Sequence, residues 1–302
     1  MIKIKFKLNY LLFVRFILMM TYNLWHRIIS LCILFVMVGD LSAQVAGFSQ
    51  IRWNRERIAP GLIWKSSHTV LNDTTPQNIN ILIINTHKRN VSLSYNPIEN
   101  VMLSTQASSL GAIAAVNGGF FNIKDGGSAT YLKVGGLILD KDTAKKWSRN
   151  LNMTGSVLID QTGHVSIEPA RSDSYYNQHP EHHDVLITGP LLISRSRKLQ
   201  LTVSSLVTTK HPRTSIGKIG RHKIVLITLD GRTDQARGVS LATLADIMRS
   251  LHCKDAVNLD GGGSTTMWIS GKPFKGVVNR PCDNKKFDHE GERAVSDILI
   301  VK

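Results

Sequence analysis

The segment that most constrains the fold is a strand–helix–strand pattern over residues 223–260. Two apolar runs, "KIVLITLD" and "DAVNLD", end in Asp230 and Asp260. Between them, "GVSLATLADIMRSLHC" has apolar residues at i, i+3, i+4 and i+7 and Ser240 as N-cap, which predicts an amphipathic helix. Strands joined by such a helix normally run parallel. The pattern therefore predicts one βαβ unit, with both aspartates at the sheet edge where ligands bind.

The remainder of the sequence favours short strands. "NINILIIN" and "VSLSY" flank the polar turn "THKRN", and "GSVLID" and "HVSIEP" flank "QTG", which predicts two hairpins. A short helix is expected over 104–111, with Ser104 as N-cap and Gly111 as its stop. Residues 44–302 contain no repeat or proline-rich linker. We expect a single compact domain there, of mixed α/β (α+β) class, with a mixed multi-stranded β-sheet and few helices.

Residues 1–43 have the layout of a signal peptide. Basic Arg27 precedes an apolar stretch, and small residues follow before a cut after Ala43. The apolar stretch is too short to favour a spanning helix, so no stable membrane span is expected after its removal. A second apolar patch, residues 8–20, lies before Arg27. Translation from Met19 or Met20 would omit nearly all of it. We expect a periplasmic, secreted or cell-surface protein.

The net charge of +15 limits the classes of partner. The first 43 residues carry five basic residues and one acid, which leaves 32 Lys and Arg against 21 Asp and Glu elsewhere. No arginine-rich run or basic helix concentrates this charge, so a nucleic-acid partner is not expected. Anionic substrates, or a polyanionic cell surface, fit the balance.

Two cysteines follow the predicted signal peptide, Cys253 and Cys282. Export to an oxidising compartment permits a disulfide between them. The alternative is two unpaired thiols, one of them buried beside a strand. Sequence does not supply the Cα separation that would decide between the two.

The most unusual stretch is "LDGGGST", with Asp260, Gly261, Gly262, Gly263 and Ser264. It lacks the lysine of a P-loop, the second glycine of a nucleophile elbow and the alternating acids of an EF-hand. Two interpretations remain. The glycine amides approach an anion beside a carboxylate and hydroxyls, or the glycines serve only the geometry of a turn.

Metal binding is considered for two groups of residues. "HPEHHD" places three histidines within residues 179–184. They could form a transition-metal site or, alternatively, belong to a solvated loop. The acids of the C-terminal region could supply oxygen ligands for Ca²⁺ or another divalent ion, although a charged surface loop explains them equally. Those acids are Asp283, Asp288, Glu290 and Glu292. No cofactor is firmly predicted.

Several segments in order resemble the phosphodiester glycosidases, from about residue 80 to the C-terminus. They are "AAVNGGFFN", "GPLLI", "HPRTSIG", "LDGR", "GVSLATLADIMRSLHCKDAVNLDGGGSTTMW", "VVNRP" and "ERAVSDILIV". The resemblance implies an exported hydrolase that cleaves a sugar-1-phosphodiester, such as a GlcNAc-1-phosphodiester, of surface or dietary glycans. By motif position, it places the site at Asn117, Gly118, Arg213, Thr214, Asp230, Arg232, Asn258, Asp260, Gly261, Gly262, Gly263, Ser264, Glu292 and Arg293.

The chemistry of such a substrate suggests roles for these residues. A phosphomonoester leaves readily, so cations and amides that hold the phosphate matter more than a strong general acid. Arg213, Arg232 and the amides after Asp260 suit that task. A carboxylate must activate water or stabilise the oxocarbenium-like centre, and Asp260 is the first candidate, with Asp230 or Glu292 as its partner. A non-catalytic glycan-binding module and a metal-dependent phosphodiesterase are the alternatives.

Overall fold

The computed structural model describes residues 48–71, 75–139 and 152–302. The predicted signal peptide, residues 1–43, lies outside the described residues. Within the described ranges, no helix is both long and apolar enough to cross a membrane.

The secondary structure consists mainly of short strands. In chain order they are β1 (Asn54–Ala59), β2 (Leu62–Leu71), β3 (Thr75–Asn85), β4 (Val91–Tyr95), β5 (Val101–Met102), β6 (Ala114–Asn117), β7 (Leu132–Val134), β8 (Leu137–Ile138), β9 (Gly155–Asp160), β10 (Val165–Pro169), β11 (His182–Thr188), β12 (Leu191–Ser194), β13 (Arg197–Lys198), β14 (Arg213–Gly220), β15 (Lys223–Leu229), β16 (Asp255–Asn258), β17 (Met267–Ile269), β18 (Ala294–Val295) and β19 (Asp297–Val301). The helices are α1 (Leu103–Ser109), α2 (Asp173–Gln178), α3 (Ser205–Thr208) and α4 (Leu241–Ser250), with 3₁₀ turns at Phe48–Gln50, Gly262–Ser264 and Phe274–Gly276.

The strands form one large sheet and three smaller ones. The large sheet has the order β1-β2-β3-β15-β14-β16-β12-β13. The others are β10-β9-β11-β7-β8, β17-β6-β19-β4 and the pair β18-β5. The predicted α+β class with few helices agrees with this arrangement. The predicted mixed sheet does not, because every ladder between the described strands is antiparallel.

Strands β15 and β16 are joined through α4 but do not pair with each other. Each is antiparallel to β14, which lies between them, so the two run in the same direction. Arg213 at the start of β14 pairs with Leu229 at the end of β15, and Ser215 pairs with Asn258 at the end of β16. The predicted βαβ unit is therefore split by an antiparallel strand, yet its two carboxyl ends still share one edge.

The uninterrupted apolar run of β15 reflects burial of both faces of the sheet. Ile224 and Leu226 pack into the core between the sheets, whereas Val225, Ile227 and Leu229 pack against α4 on the opposite face. Because side chains alternate along a strand, a strand covered on both sides has apolar residues at every position. A run of this kind predicts burial but not the direction of neighbouring strands.

The amphipathic helix is confirmed as α4. Four residues of its predicted apolar face, Leu241, Leu244, Ala245 and Met248, are fully buried against the large sheet. The fifth, Leu251, is the C-cap and is only partly buried against the same cluster. The Ser240 hydroxyl accepts a hydrogen bond from the Thr243 amide at 3.2 Å, as expected of an N-cap.

One predicted hairpin forms and the other does not. Strands β9 and β10 pair across their short turn. In contrast, β3 belongs to the large sheet, whereas β4 is the edge strand of the four-stranded sheet. The "THKRN" segment therefore carries the chain from one sheet to the other, because each strand buries its apolar residues against a different partner.

The two cysteines are unpaired, buried thiols, so the disulfide alternative is excluded. The Cys253 sulfur packs against Gly217, where an added Cβ would lie only 2.6 Å from it. The Cys282 sulfur lies 3.7 Å from the Gly262 carbonyl oxygen. Each thiol thus occupies its own packing environment.

Candidate active site

The ends of several strands meet at the buried side chain of Asn117, the last residue of β6. Its Nδ2 donates to the Asp260 carbonyl oxygen at 2.7 Å, and its Oδ1 accepts from the Thr214 hydroxyl at 2.7 Å and the Thr266 amide at 3.2 Å. One amide group therefore connects β6, the start of β14 and both ends of the glycine segment. Two predicted residues, Asn117 and Thr214, act here as positioning groups for Asp260.

Asp260 is half-buried as a residue at this junction. Its Oδ1 accepts from the Gly261 amide at 2.8 Å. Burial raises the pKa of Asp260 to about 6; Ser264, Gly261 and Arg293 oppose this change, and nearby Asp297 adds to it. The Ser264 hydroxyl faces the carboxyl group, but it lies outside full hydrogen-bond geometry with any described group. Asp260 thus combines a desolvated carboxyl group with a residue that is half-buried as a whole.

A second aspartate, Asp297, lies behind Asp260 at the start of β19. Its carboxyl group is buried and accepts from the Gly119 amide at 2.7 Å and the Ser296 hydroxyl at 2.9 Å, and burial raises its pKa to about 6. Gly118 separates the two acids, since its amide donates to the Asp297 carbonyl and its carbonyl accepts from the Asp260 amide, each at 3.0 Å. A Cβ on Gly118 would collide with the Asp297 carboxylate, which explains the glycine.

The glycine triplet lies under two guanidinium groups. At Gly262, φ is +62°, and a Cβ would lie 2.9 Å from Nη2 of Arg232. A Cβ on Gly263 would overlap the guanidinium group of Arg293. The triplet therefore permits the close approach of two cations to the backbone that follows Asp260.

The amides of the triplet are less open than the sequence predicts. The Gly261 amide bonds the Asp260 carboxyl, and the Gly262 amide donates to the Pro212 carbonyl at 2.9 Å. Because both are used within the protein, the guanidinium groups are the stronger anion-binding elements here.

The two arginines have different surroundings. Arg293 forms a two-pronged pair with Asp283, with Nε donating to Oδ2 at 3.1 Å and Nη2 donating to Oδ1. This pairing lowers the pKa of Asp283 below its ordinary value. Arg232 is exposed and faces the Cys282 thiol, next to Gly262. The pair on Arg293 fixes its orientation, whereas Arg232 is more accessible to a ligand.

Arg213 does not present its guanidinium group to this site. The side chain is only 2% exposed, and its donors bond the carbonyl oxygens of Val239 at 3.1 Å, Leu206 at 2.7 Å and Thr209 at 2.8 Å. Burial lowers its pKa to about 10, with Arg232 contributing and Asp260 opposing. Its hydrogen bonds attach α3 and the loop before α4 to the edge of the large sheet, which is a structural role.

Asp230 is also withdrawn from the substrate side. Its Oδ1 accepts from Asn279 Nδ2 at 2.8 Å, and its Oδ2 accepts from Asn78 Nδ2 at 2.6 Å and from the Arg280 amide at 2.8 Å. The carboxyl group is 1% exposed, and burial raises its pKa to about 6. With its acceptors occupied, Asp230 ties the end of β15 to β3 and to the segment that follows β17.

Glu292 caps a helix instead of joining Asp260. Its Oε1 accepts from the Ser104 amide at 2.7 Å and its Oε2 from the Ser104 hydroxyl at 2.6 Å, at the N-terminus of α1. Ser104 is therefore inside the helix, and Met102 is the residue that precedes it without a side-chain cap. Glu292 lines a separate pocket with Phe274 and His289, whose rings stack at 4.1 Å.

We expect Glu292→Ala to lower the free energy of unfolding by about 1–2 kcal/mol, because α1 loses the acceptor for its first amides. Urea denaturation measures this loss. The conservative variant Glu292→Gln keeps an acceptor and should lose less stability, while its kcat stays within about threefold of the wild type. A hundredfold decrease in kcat of a folded Glu292→Gln variant would place this carboxylate in the chemistry after all.

Asn258 is hydrogen-bonded to residues at the end of β11 and directly after it. Its Nδ2 donates to the Gly189 carbonyl at 2.8 Å, and its own carbonyl accepts from the Thr188 hydroxyl at 3.0 Å. These bonds fix β16 against the segment between β11 and β12. Asn258 therefore positions the strand that carries Asp260.

The residues considered for metal binding have other partners. Among the described residues, no group of three or more His, Cys, Asp or Glu side chains is arranged to hold a metal ion. Asp283 pairs with Arg293, and Asp288 accepts from Asn284 at 2.8 Å. His179 stacks on the Tyr175 ring at a centroid distance of 3.8 Å.

Comparison with known proteins identifies a family match that covers the candidate site. A sequence profile of the phosphodiester glycosidase family matches residues 110–302, which is more than half of the chain. The chain belongs to the phosphodiester glycosidase family. The junction at Asn117, the Asp260 segment and Asp297 all fall within the matched range.

Curated relatives share short segments with this chain. The SPbeta prophage-derived uncharacterized protein YomE of Bacillus subtilis is 33% identical over 108 residues, 36% of this chain and 15% of that protein. The N-acetylglucosamine-1-phosphodiester alpha-N-acetylglucosaminidase of Mus musculus is 37% identical over 68 residues, 22% of this chain and 13% of that enzyme. The chain thus spans only a small part of the length of these proteins.

Solved structures share the fold of this member of the phosphodiester glycosidase family. The catalytic domain of the zebrafish N-acetylglucosamine-1-phosphodiester alpha-N-acetylglucosaminidase, auto-inhibited by its pro-peptide, matches with a TM-score of 0.65 and 17% identity, over 83% of this chain and 87% of that chain. A hypothetical protein from Synechocystis matches with a TM-score of 0.60 and 15% identity, over 83% of this chain and 63% of that chain.

Asp297 is the residue of this candidate site that sequence reasoning missed. Asp230 and Asp260 directly follow apolar runs, whereas Asp297 directly precedes one, "ILIV". The start of an antiparallel strand lies at the same edge as the end of its neighbour, and Ile298 pairs with Asn117. An acid immediately before the final strand was the available signal.

Proposed function

We propose that this protein hydrolyses sugar-1-phosphodiesters between the anomeric carbon and the phosphate oxygen, with GlcNAc-1-phosphodiesters as the first candidates. One observation carries the proposal: half-buried Asp260 is followed by a glycine triplet that admits the guanidinium groups of Arg232 and Arg293. A carboxylate beside two cations complements an electrophilic anomeric carbon attached to an anionic phosphate.

The phosphate would be held by Arg232 and Arg293. A glycosyl phosphodiester carries one negative charge, and the leaving phosphomonoester gains another as the C–O bond breaks. Guanidinium groups next to that oxygen stabilise the developing charge, so the leaving group needs less protonation. Arg293, oriented by Asp283, provides a fixed donor, and exposed Arg232 provides a second one that is accessible to a ligand.

Asp260 would supply the carboxylate that acts on the anomeric carbon, directly or through a water molecule. Asp297 is too buried to touch the substrate, so its proposed role is to position Gly118 and Gly119 and to help keep the Asp260 pKa high. A high pKa makes the carboxylate a stronger base once it is ionised.

The pH dependence of activity follows from Asp260. Burial raises its pKa from 3.8 to about 6, and the proposed chemistry requires the ionised form. We therefore expect kcat/KM to rise about tenfold per pH unit below pH 6 and to level off above it. Initial rates from pH 4 to 8 measure this profile. A rate that falls as the pH rises through 6 would instead assign the protonated carboxyl as the reacting form.

Hydrolysis of a synthetic GlcNAc-1-phosphodiester in water enriched in ¹⁸O tests the reaction. C–O cleavage places the label in the released sugar. Label in the phosphate would indicate P–O cleavage by a phosphodiesterase instead. Binding without any product would indicate a glycan-binding module.

The predicted signal peptide supports an exported enzyme that meets its substrate in cell-surface or dietary glycans. Cleavage after Ala43 would give a mature protein that begins at Gln44. N-terminal sequencing of the exported protein tests this assignment.

A further inference from the structure

A basic cleft of about 800 Å³ lies beside the candidate active site. Its cationic lining residues are Lys210, Arg232, Arg237, Lys285 and Lys286. The lining has one carboxylate, Asp234, which is 98% exposed and pairs with Arg237 at 3.8 Å. Five cations against one weakly paired anion make this cleft strongly electropositive.

Arg232 connects the cleft to the active site. Its guanidinium group lines the cleft and also lies against Gly262, in the triplet that follows Asp260. A phosphate held by Arg232 would therefore sit at the entrance of the cleft. The leaving-group side of such a substrate would then extend from that phosphate into the cleft.

The walls of the cleft are held by interactions that leave the lysine ammonium groups exposed. His68 Nε2 lies 2.9 Å from the Gln235 carbonyl oxygen, and its ring lies 5.6 Å from that of Phe287. The Arg280 guanidinium group lies over the same Phe287 ring at 5.4 Å. The Phe287 side chain thus braces one wall and adds an apolar surface on which a sugar ring can lie.

Close carboxylates are scarce around the lysines of the cleft, although Lys286 lies near enough to Asp288 to help lower the pKa of that acid. Within the described part of the chain, Lys210, Lys285 and Lys286 form no ion pair with a carboxylate. Lys210 only reaches the Thr75 hydroxyl, at 3.4 Å. Like charges gathered with few counter-charges repel one another, and a ligand that carries several negative charges relieves this repulsion.

We infer that this cleft binds further phosphodiester groups of a polymeric substrate, a glycan with repeated sugar-phosphate units. The inference rests on the proposed function, because the scissile phosphate is assigned to Arg232. It specifies that function as the cleavage of phosphate-linked polysaccharide, with Lys285 and Lys286 as specificity-determining residues on the leaving-group side.

Two substrates test this inference: a GlcNAc-1-phosphodiester with a neutral leaving alcohol, and an oligomer with three sugar-phosphate units. For the double variant Lys285→Ala/Lys286→Ala, we expect KM for the oligomer to rise about fivefold to tenfold, as two exposed ion pairs are lost. KM for the single-phosphate substrate and kcat for both should stay within about twofold. Raised salt should remove most of the difference.

The matched control is Lys223→Ala/Lys254→Ala, two exposed lysines at the opposite edge of the large sheet. It removes the same charge and should leave the KM for the oligomer unchanged. An equal rise of the oligomer KM in the control variant would show that only net charge matters, and it would overturn the inference. An unchanged oligomer KM in Lys285→Ala/Lys286→Ala would overturn it as well.

A binding measurement separates this inference from the proposed function. If no substrate releases sugar, calorimetry with Asp260→Asn still reports whether the oligomer binds and whether Lys285→Ala/Lys286→Ala weakens it. Tighter binding of the oligomer than of a single-stranded DNA of equal charge supports a phosphoglycan. Equal binding of that DNA would show a general polyanion site and overturn the substrate class.

Discussion

Asp260→Asn is expected to lower kcat about a thousandfold while the protein remains folded. The substitution keeps the shape of the side chain and an oxygen that can accept from the Gly261 amide, but removes the negative charge. Loss of a carboxylate that acts as base or nucleophile typically costs two to four orders of magnitude. Release of GlcNAc from a synthetic phosphodiester measures the decrease.

The control for this variant is Asp246→Asn on the surface of α4. Asp246 pairs with Lys198 at 2.6 Å and lies on the helix instead of in the glycine segment, so its replacement should leave kcat within about twofold. If Asp260→Asn keeps a tenth or more of wild-type kcat with an unchanged Tm, then Asp260 only orients the loop. The acid that performs the chemistry would then have to be sought elsewhere along this edge.

Asp230→Ala is expected to lower the free energy of unfolding by about 3–5 kcal/mol. The change leaves the side-chain amides of Asn78 and Asn279 and the backbone amide of Arg280 without their acceptor in a buried place. Unsatisfied buried donors cost about 1–3 kcal/mol each, partly offset by relaxation and entering water. Chemical denaturation at pH 7 measures the loss.

Asp234→Ala gives the comparison for this loss of stability. Asp234 lies four residues further along and is 98% exposed, so its removal should change stability by no more than about 0.5 kcal/mol. A similar small effect for Asp230→Ala would show that the three donors find other acceptors. Asp230 would then regain its place as a candidate for the chemistry.

The two aspartates that end apolar runs look alike in the sequence, yet their environments differ. Both lie at the same edge, as the strand–helix–strand pattern predicts. Asp260 is partly open to solvent beside two arginines, whereas Asp230 is enclosed by amide donors from β3 and from the segment after β17. Those partners are remote in sequence, so no local pattern distinguishes a reactive acid from a structural one.

The three arginines also show that a local sequence pattern does not reveal where a side chain points. Arg213, Arg232 and Arg293 all stand in motifs shared with the family, and the sequence predicts a phosphate contact for Arg213 and Arg232. The direction of a long side chain depends on which acceptors surround it. Three carbonyl oxygens turn Arg213 inward, while the absence of side chains at Gly262 and Gly263 lets the other two lie over the triplet.

The sequence by itself determined the local features whose causes are local. These are the buried strands, the amphipathic helix with its Ser240 cap, the β9–β10 hairpin, the family and the glycine segment around Asp260. Only the tertiary structure decided how distant segments combine. It inserted β14 between β15 and β16, brought Asp297 behind Asp260 and turned Glu292 onto α1. Strand order and the partners of buried polar groups depend on contacts across the whole chain, and periodicity and spacing carry no information about them.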